Sequence, residues 1–497
     1  MRVRVGQRCE RLELDRVWIV DPWSGREGAA RLVVADGRIA ELAWARRGTG
    51  SRASGRAPSE RRPPPKGLAP PELLLLPGLT DLHTHLREPG DEDAETVATA
   101  LAAAAHGGFT TVCAMANTTP PADDPAILQR VATAVRASGS PVRVAPYGST
   151  TAGRAGTLLA PLGELAAAGA VGFSDDGAPL ADAALLGHAL AYAGSLDRPI
   201  VEHAEDPGLT AGAEMREGLV ALLLGLKGWP AAAESGAVAR ALAVLADVVL
   251  AAPGGARPRL HLTHLSTAGS VALVRAAKAA GLPVSADITP HHLALHDGWV
   301  AGDRRFSWEA AASPWSGRPT GRTEGPPYDA ATRVNPPLAP PADALALWAG
   351  LVDGTIDAIA TDHAPHREVD KRVEYGTAAP GISGLETALG LALAGVTAGL
   401  APLSVVVRAL SAGPRQAIGL EAGTLVVGAT ADLVLVDRAD GWTVSRSTLL
   451  SKGWNTPLLG RRLAGRILLT VAGGRWAYVD ADLDSPGRPP AGRSRTR

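Results

Sequence analysis

The chain of 497 residues is poor in cysteine and in lysine. Its two cysteines, Cys9 and Cys113, are too few for a disulfide framework and indicate a reducing compartment. Only 5 lysines stand beside 44 arginines, and none lies between Lys66 and Lys227. The long central part of the chain between those two residues therefore has no lysine side chain to offer for chemistry or for metal binding.

Long apolar runs and a strong net charge are missing as well. No stretch reaches the roughly 18–20 continuous apolar residues of a membrane span, and residues 1–5 contain no apolar signal core. The net charge of −1 gives no reason to expect nucleic acid or an anionic membrane as partner. Apolar residues still make up 46% of the chain, enough for one large domain and a smaller one. We expect a soluble cytoplasmic protein.

From residue 73 onward, short apolar runs alternate with helical stretches rich in Ala and Leu. The runs lie at residues 73–83, 110–117, 142–149, 170–176, 198–205, 259–266, 283–292 and 356–363, and the helical stretches include residues 95–106 and 268–280. Eight strands alternating with helices predict an α/β fold, a (β/α)8 TIM barrel. A doubly wound sheet is the alternative, but it usually carries a Gly-rich phosphate loop after its first strand, and this sequence has none.

Both ends of the chain read as short strands. They are predicted at residues 12–20, 30–35 and 38–42, with Asp36-Gly37 as a hairpin turn, and at residues 423–427, 431–436, 466–471 and 475–479. We expect a small β-sandwich-like domain built from residues 1–72 and 416–484, with the barrel over residues 73–415 between them. Residues 46–71 predict a flexible Arg- and Pro-rich segment, 297–332 a long loop, and 485–497 a disordered tail.

Metal-competent side chains lie at the ends of five predicted strands, where a barrel of this kind places its chemistry. They are His83 and His85, then Asp175 and Asp176, then His203, His264 and Asp362. Side chains alternate along a strand, so His83 and His85 point the same way. The same alternation turns His261 towards the helices as a structural residue. It leaves open the choice between the two adjacent aspartates. It also does not decide whether His291 and His292 support the site or serve in packing.

Imidazole and carboxylate ligands suit Zn²⁺, Mn²⁺ or Fe²⁺. His83, His85 and one strand-four Asp can hold one ion, while that same Asp can hold a second ion together with His203 and His264. Water activated by the metal attacks a carbonyl carbon, and an adjacent Asp, here Asp362, takes a proton and returns it to a departing nitrogen. The pattern predicts metal-assisted hydrolysis of an amide-like bond, or the reverse reaction.

The sequence resembles the amidohydrolase superfamily and, more narrowly, the class I dihydroorotases, over residues 30–480. The matching segments are 81–90 (DLHTHLREPG), 107–113 (GGFTTVC), 115–118 (MANT), 173–177 (FSDDG), 264–267 (HLST), 289–293 (TPHHL), 335–338 (NPPL), 353–357 (DGTID), 361–366 (TDHAPH) and 451–457 (SKGWNTP). His-x-His is common to the superfamily. The Arg that follows it, the Asp-Asp-Gly and the Asp-His-Ala-Pro-His together make the resemblance narrow.

The resemblance implies a zinc-dependent cyclic amide hydrolase with one or two Zn²⁺ per subunit. Its reaction would be the reversible cyclisation of N-carbamoyl-L-aspartate to L-dihydroorotate in pyrimidine biosynthesis. The implied metal ligands are His83, His85, Asp176, His203, His264 and Asp362, with Asp362 also catalytic; the family's spacing of 27 residues before the strand-five His selects Asp176. The implied substrate contacts are His85, Arg87, Asn117, Asn335, His366, Pro380 and Gly381. An Arg can hold a carboxylate through two parallel hydrogen bonds, which supports Arg87 independently.

Two alternatives accompany this interpretation. The first is another cyclic amidohydrolase, an allantoinase or hydantoinase; hydantoinases bridge their metals with a carboxylated Lys, which the gap between Lys66 and Lys227 argues against. The second is a non-catalytic dihydroorotase-like partner of aspartate transcarbamoylase. Association with aspartate transcarbamoylase or into a homo-oligomer follows from the resemblance only. The chain departs from the family pattern at Ala116, where Pro is usual, and at Glu202 and Ala204 beside His203.

Overall fold

The computed structural model describes residues 4–45, 72–252, 254–310, 325–481 and 483. The strands are β1 (Arg11–Asp21), β2 (Arg26–Ala35), β3 (Arg38–Trp44), β4 (Leu73–Pro77), β5 (Leu79–Thr84), β6 (Phe109–Ala114), β7 (Arg143–Pro146), β8 (Ile200–Glu202), β9 (Met215–Arg216), β10 (Gly228–Trp229), β11 (Leu260–Leu262), β12 (Val284–Ile288), β13 (Ala358–Ile359), β14 (Leu433–Thr443), β15 (Arg462–Ala472) and β16 (Arg475–Val479). The helices are α1 (Val97–His106), α2 (Pro125–Ser138), α3 (Leu162–Ala167), α4 (Ala183–Ser195), α5 (Pro207–Thr210), α6 (Leu219–Leu224), α7 (Ala232–Ala251), α8 (Ala268–Ala279), α9 (Pro290–Ala294), α10 (Pro341–Asp353), α11 (Glu368–Lys371), α12 (Ala388–Thr397), α13 (Leu403–Leu410) and α14 (Ala412–Ile418). Among the described residues, no helix combines the length and the apolar character needed to cross a membrane.

Strands from both ends of the chain form one seven-stranded sheet. Its order is β16-β15-β14-β4-β1-β2-β3. β1 and β4 run parallel, and the other neighbours are antiparallel. Asp36 and Gly37 join β2 to β3 with φ angles of 49° and 72°, as a two-residue type I′ hairpin turn requires. The prediction of a small β-rich unit built from both termini is therefore confirmed.

The predicted first barrel strand, residues 73–83, is two strands in the structure. The run divides at Gly78 into β4, which belongs to the terminal sheet, and β5, which belongs to the barrel. Leu75 packs in the core of the terminal sheet, whereas Leu74 and Leu76 pack in the main core shared with the barrel. Because both faces of β4 are buried, its sequence is apolar throughout instead of alternating. A Cβ at Gly78 would lie 2.3 Å from Oγ1 of Thr110, so only glycine fits at the division.

Eight parallel segments close into a barrel, as predicted. β5, β6 and β7 form one parallel group, and β8, β11, β12 and β13 form another. The fourth predicted strand, residues 170–176, contributes only Phe173, which bridges Gly148 on one side and Ile200 on the other. A bridge between Thr84 and His363 joins the last segment to the first. The barrel therefore brings the ends of all eight segments to one rim.

The other end of the barrel is filled by apolar side chains. Leu82, Cys113, Tyr147 and Ala358 belong to one buried cluster, and Ile418 at the end of α14 packs into it. Close to Ile418 in sequence, Arg415 donates to the hydroxyl groups of Thr80 and Thr111 on β5 and β6. The segment that follows the barrel thus covers the starts of its strands and leaves the opposite rim for polar side chains.

Several sequence expectations differ from the structure or fall outside it. No strand forms at residues 423–427. Leu425 in this segment still packs in the core of the terminal sheet. The strand predicted over 283–292 ends at Ile288 because Pro290 opens α9. The loop 297–332 contains two 3-10 turns, Asp297–Ala301 and Ala330–Thr332, and its residues 311–324 lie outside the described residues. So do residues 46–71 and the whole of the predicted tail, residues 485–497. The domain bounds stay a prediction.

Lys371 at the end of α11 holds the segment that leads to Asn335. Its Nζ donates to the backbone oxygens of Ala330, at 3.1 Å, and Arg333, at 3.3 Å. Burial, together with the nearby charge of Arg333, lowers the pKa of Lys371 to about 7. A lysine whose pKa falls on folding takes up a proton when the chain unfolds, so its contribution to stability is largest above its unfolded pKa and is lost as the pH falls.

We expect the substitution Lys371→Met to remove this pH dependence. Between about pH 7 and pH 10, the free energy of unfolding of the wild type should gain on that of the variant as the pH rises, because only the unfolded wild type then holds the extra proton. Urea unfolding of both proteins across this range measures the difference. A difference that does not change with pH would contradict the prediction.

Candidate metal centre and active site

The structure brings the six predicted metal ligands together at the barrel rim. His83 and His85 lie at the end of β5, Asp176 follows the Phe173 bridge, His203 follows β8, His264 follows β11, and Asp362 follows β13. All six side chains are buried. Because they come from five different segments, their meeting depends on closure of the whole barrel.

Asp176 lies at the centre of this cluster, between two pairs of histidines. Its Oδ2 is 3.4 Å from Nε2 of His83 and 3.6 Å from Nε2 of His85. Its Oδ1 is 3.4 Å from Nδ1 of His203 and 3.4 Å from Nε2 of His264. Each oxygen of one carboxylate therefore faces its own pair of imidazole nitrogens, which is the geometry of a carboxylate shared between two metal positions.

Asp362 completes the group around the first position. Its Oδ1 lies 3.2 Å from Nε2 of His85 and 3.5 Å from Nε2 of His83. The ligand atoms of these three residues lie within 4.8 Å of one another, as do those of His83, Asp176 and His264. Ligands about 3.4 Å apart are spaced as on the edge of a tetrahedron with metal–ligand bonds of about 2.1 Å. Within the described residues, the buried Nε2 of His83 has no hydrogen-bond partner, as expected for an atom that binds an ion.

The electrostatics of the cluster also fit a cation. Burial lowers the pKa of His83, but Asp176 and Asp362 outweigh burial and raise it to about 9. Burial is likewise outweighed at His203, where hydrogen bonds to Asp176 and Glu205 raise the pKa to about 10. For Asp176 and Asp362 burial raises the pKa, yet the nearby histidines hold it below the usual value. The carboxylates thus draw positive charge into the cluster, and a divalent ion would supply it while the imidazoles stay neutral.

Asp175 has a different position from its neighbour. Its carboxylate accepts hydrogen bonds from the backbone N–H groups of Thr150, at 2.9 Å, and Thr151, at 3.1 Å, and from the Thr151 hydroxyl. These contacts tie two loops together and turn the side chain away from the histidines. Of the two aspartates that strand parity leaves open, the structure therefore brings Asp176 into the cluster.

Asp287 near the end of β12 holds two of the histidines in place, His264 directly and His83 through Thr263. Its Oδ1 accepts the backbone N–H of His264 at 2.7 Å, and its Oδ2 lies 3.3 Å from the hydroxyl of Thr263. That hydroxyl lies 2.8 Å from Nδ1 of His83. Because the hydroxyl donates to the carboxylate, it accepts from the ring, which fixes the proton on Nδ1 and leaves Nε2 for a metal.

The expectation that His261 faces the helices is wrong. Its Nε2 lies 2.8 Å from Oδ2 of Asp287, so it belongs to the polar network below the histidine cluster, whereas Leu260 and Leu262 pack in the main hydrophobic core. Strict alternation fails here because β11 ends at Leu262 and His264 has a positive φ of 38°. A non-glycine residue in the left-handed region carries strain that the surrounding contacts must hold.

The predicted substrate contacts surround the cluster. Nδ1 of His85 is 2.8 Å from Oδ1 of Asn117. Arg87 is partly buried; its Nε donates to the backbone oxygen of Pro365 at 3.0 Å, and its Nη2 lies 3.4 Å from Nε2 of His366. Burial, with the charge of Arg87, lowers the pKa of His366 to about 3, so this imidazole is neutral.

Pro380 and Gly381 lie beside the imidazole ring of His366. Nε2 of His366 is 2.8 Å from the backbone oxygen of Pro380. Gly381 has a φ of 147°, and a Cβ there would lie 2.6 Å from Cβ of Ala364 and 2.9 Å from Nε2 of His366. Asn335 reaches the second histidine pair only through Glu205, whose Oε2 accepts Nδ2 of Asn335 at 2.9 Å and lies 2.9 Å from Nε2 of His203.

Sequence reasoning missed Glu205, Thr263 and Asp287, which contact the candidate ligands without being among them. A carboxylate two residues after His203 was the available signal for Glu205.

The sequence left the roles of His291 and His292 open. His292 forms hydrogen bonds with the Thr289 hydroxyl and with the backbone oxygen of Pro336, as a packing residue does. Nε2 of His291 is buried and has no partner among the described residues. Burial, and to a smaller extent the charge of His292, lowers the pKa of His291 well below its usual value.

The adjacent aspartates offer a matched pair of variants. Asp176→Ala should abolish tight binding of divalent metal, because both groups of histidines lose their shared carboxylate. Asp175→Ala should keep metal binding but lower stability by about 1–3 kcal/mol, because two buried backbone N–H groups lose their acceptor. Metal analysis of the purified variants and thermal unfolding measure the two effects. Equal metal content in both variants would contradict the prediction.

The chain is similar to known proteins over most of its length. A family profile described as "Dihydro-orotase-like" matches residues 72–269. The dihydroorotase of Anaeromyxobacter sp. (strain K) is 43% identical over 466 residues, covering 94% of this chain and 97% of its own. The dihydroorotase of Pelotomaculum thermopropionicum is 42% identical over 469 residues, covering 93% of this chain and 97% of its own.

Solved structures share the fold. The L-hydantoinase (dihydropyrimidinase) of Arthrobacter aurescens superposes with a TM-score of 0.72 at 22% identity, covering 94% of this chain and 96% of its own. The dihydropyrimidinase of Brevibacillus agri NCHU1002 gives a TM-score of 0.69 at 18% identity, covering 94% and 95%. At such identities the likeness concerns the fold alone, whereas the sequence relatives match over nearly their whole length. The chain belongs to the dihydroorotase family.

Proposed function

We propose that the chain is a dihydroorotase, which interconverts N-carbamoyl-L-aspartate and L-dihydroorotate in pyrimidine biosynthesis. The observation that carries the proposal is the position of Arg87, a partly buried guanidinium two residues beyond His85. A histidine and aspartate cluster alone suits many hydrolases, whereas a partly buried arginine beside it suits a substrate with a carboxylate close to the bond that reacts. The near full-length dihydroorotase relatives support the same substrate.

We further propose that the cluster holds zinc, with His83, His85 and Asp362 at one position, His203 and His264 at a second, and Asp176 between them. The nitrogen and carboxylate donors suit this borderline ion. When bound, the ions supply Lewis acidity, which lowers the pKa of water and polarises a carbonyl group. The protein side chains set the number and direction of the donors.

Asp362 is the proposed general acid and base. Burial raises its pKa, but His83 and His85 outweigh burial and keep the carboxylate ionised near neutral pH. In the ring-opening direction, Asp362 accepts a proton from the attacking water and gives it to the ring nitrogen as the carbon–nitrogen bond breaks. In the cyclisation direction, the same carboxyl takes the proton from the ureido nitrogen and gives it to the departing oxygen.

Arg87, with Asn117, is proposed to hold the substrate carboxylate. The backbone oxygen of Pro365 holds Nε of Arg87, which directs the remaining guanidinium donors. Arg87 itself has a φ of 61°, so its backbone is held in a strained conformation that directs the side chain. Asn335, His366 and the Pro380–Gly381 backbone would contact the rest of the ring.

The alternative activities are less well supported. No lysine lies between Lys66 and Lys227, so the barrel segments that precede β8 cannot supply a carboxylated lysine, and the Asp176 carboxylate takes the bridging place. The complete set of donors disfavours a purely structural partner. Association with aspartate transcarbamoylase, and with further copies of the chain, belongs to the proposal by family resemblance.

Zinc-loaded protein should hydrolyse L-dihydroorotate and should act far more weakly, if at all, on allantoin and hydantoin. Asp362→Ala should lower kcat by about 10²- to 10⁴-fold, the contribution typical of a general acid or base, while the protein stays folded. Steady-state assays with the three substrates, and circular dichroism of the variant, measure these effects. Absence of dihydroorotate turnover by the zinc-loaded wild type would refute the proposal.

Arg87→Lys should reduce kcat/KM for L-dihydroorotate by roughly 10- to 100-fold, because a lysine keeps the charge but cannot form two parallel hydrogen bonds to a carboxylate. Arg367→Lys is the matched control, since Arg367 is half exposed and pairs with Asp370 on the surface. The control should keep wild-type kinetics. Equal kcat/KM values for the two variants would show that Arg87 does not hold the substrate carboxylate.

A further inference from the structure

Glu205 occupies a position that links the candidate metal centre to the substrate pocket. It follows His203 by two residues and precedes α5. Its Oε2 lies 2.9 Å from Nε2 of His203 and accepts Nδ2 of Asn335 at 2.9 Å. Its Oε1 accepts the hydroxyl of Thr210. The side chain is only 12% exposed, so these three partners fix the carboxylate.

The contact with His203 determines which ring nitrogen faces the metal. Nδ1 of His203 faces Asp176 at 3.4 Å and Nε2 of His264 at 2.9 Å, so Nδ1 is the nitrogen available to an ion. The ring proton must then be on Nε2, where the Glu205 carboxylate accepts it. A carboxylate in this place fixes the tautomer and the plane of the ring and makes the imidazole a stronger ligand.

The contact with Asn335 determines how that amide is oriented. A carboxylate only accepts hydrogen bonds, so the group of Asn335 that faces Glu205 must be its NH₂. The carbonyl Oδ1 then points away from Glu205, on the opposite branch of the planar amide. Asn335 therefore presents an acceptor, suited to an N–H of the substrate, such as the imide or amide N–H of a cyclic substrate or the ureido N–H of an open one.

We propose that Glu205 is a positioning residue with two roles, holding the tautomer and plane of His203 for the second metal and turning the acceptor of Asn335 towards the substrate. The inference rests on the proposed function for its substrate. The supports of two other histidines differ in kind, because His85 has the neutral amide of Asn117 and His83 the neutral hydroxyl of Thr263. At Glu205 a single carboxylate oxygen serves both a metal ligand and a substrate contact.

Two substitutions at this position separate charge from geometry. Glu205→Ala removes both hydrogen bonds. Glu205→Gln keeps them, because the donors of His203 and Asn335 converge on one oxygen, which the glutamine carbonyl can replace while its NH₂ donates to the Thr210 hydroxyl. Only the negative charge is lost in the glutamine variant.

Glu205→Ala should weaken Zn²⁺ binding by about 10- to 100-fold, the range typical for loss of an outer partner of a metal-binding histidine. Competition between metal-free protein and a chromophoric chelator for Zn²⁺ measures this without any substrate. The KM for L-dihydroorotate at saturating zinc should rise about tenfold, and by a larger factor than kcat falls, because the Asn335 acceptor is no longer directed. Glu205→Gln should restore KM to within about threefold of the wild type while Zn²⁺ binding stays weakened, because an uncharged acceptor makes a weaker imidazole ligand.

Glu214→Gln is the matched control, since Glu214 lies near Glu205 on the same small cavity but accepts from the backbone N–H of Lys227. It should leave zinc affinity and KM unchanged. Wild-type zinc affinity in Glu205→Ala would overturn the role at His203. A KM as high in Glu205→Gln as in Glu205→Ala would overturn the role at Asn335. If the wild type did not turn over dihydroorotate, the proposed function would fail on its own, and the zinc titration would still decide the His203 role.

Discussion

The rest of the site depends on one carboxylate, that of Asp176, which faces two pairs of imidazole nitrogens at 3.4–3.6 Å. A carboxylate buried in this way is costly unless positive charge compensates it. The histidines on either side supply that charge as protons, or leave it to metal ions when these bind. Asp287 then holds His264 and, through the hydroxyl of Thr263, His83, while Glu205 holds His203, so hydrogen bonds to carboxylates orient three of the histidines.

Much of the centre could be predicted from the sequence, because the ligand types His and Asp recur at predicted strand ends and a barrel brings such ends together. Strand parity could not choose between Asp175 and Asp176, since the segment that carries them forms bridges only at Phe173 and has no regular alternation. It also misplaced His261, because His264 lies beyond the end of its strand with a positive φ. Alternation is reliable only within the hydrogen-bonded part of a strand.

The supporting residues escaped prediction for a different reason. Glu205 meets Asn335 across 130 residues of chain, and Asp287 reaches His264 across 23, so no local pattern connects them. The fold itself was predictable, apart from the place where the chain passes from the terminal sheet into the barrel. The run at residues 73–83 serves two cores in succession, and only the close approach of Thr110 to Gly78 marks the place where it passes from the terminal sheet to the barrel.

The central claim is that Asp176 is shared between two metal positions. Anomalous diffraction at the zinc edge from crystals of the zinc-loaded protein tests it most directly. We expect two peaks about 3.5–4 Å apart, the separation usual in two-metal sites, with one between Asp176 and the pair His83 and His85, and the other between Asp176 and the pair His203 and His264. Zinc bound to the histidines without contact to Asp176 would contradict it.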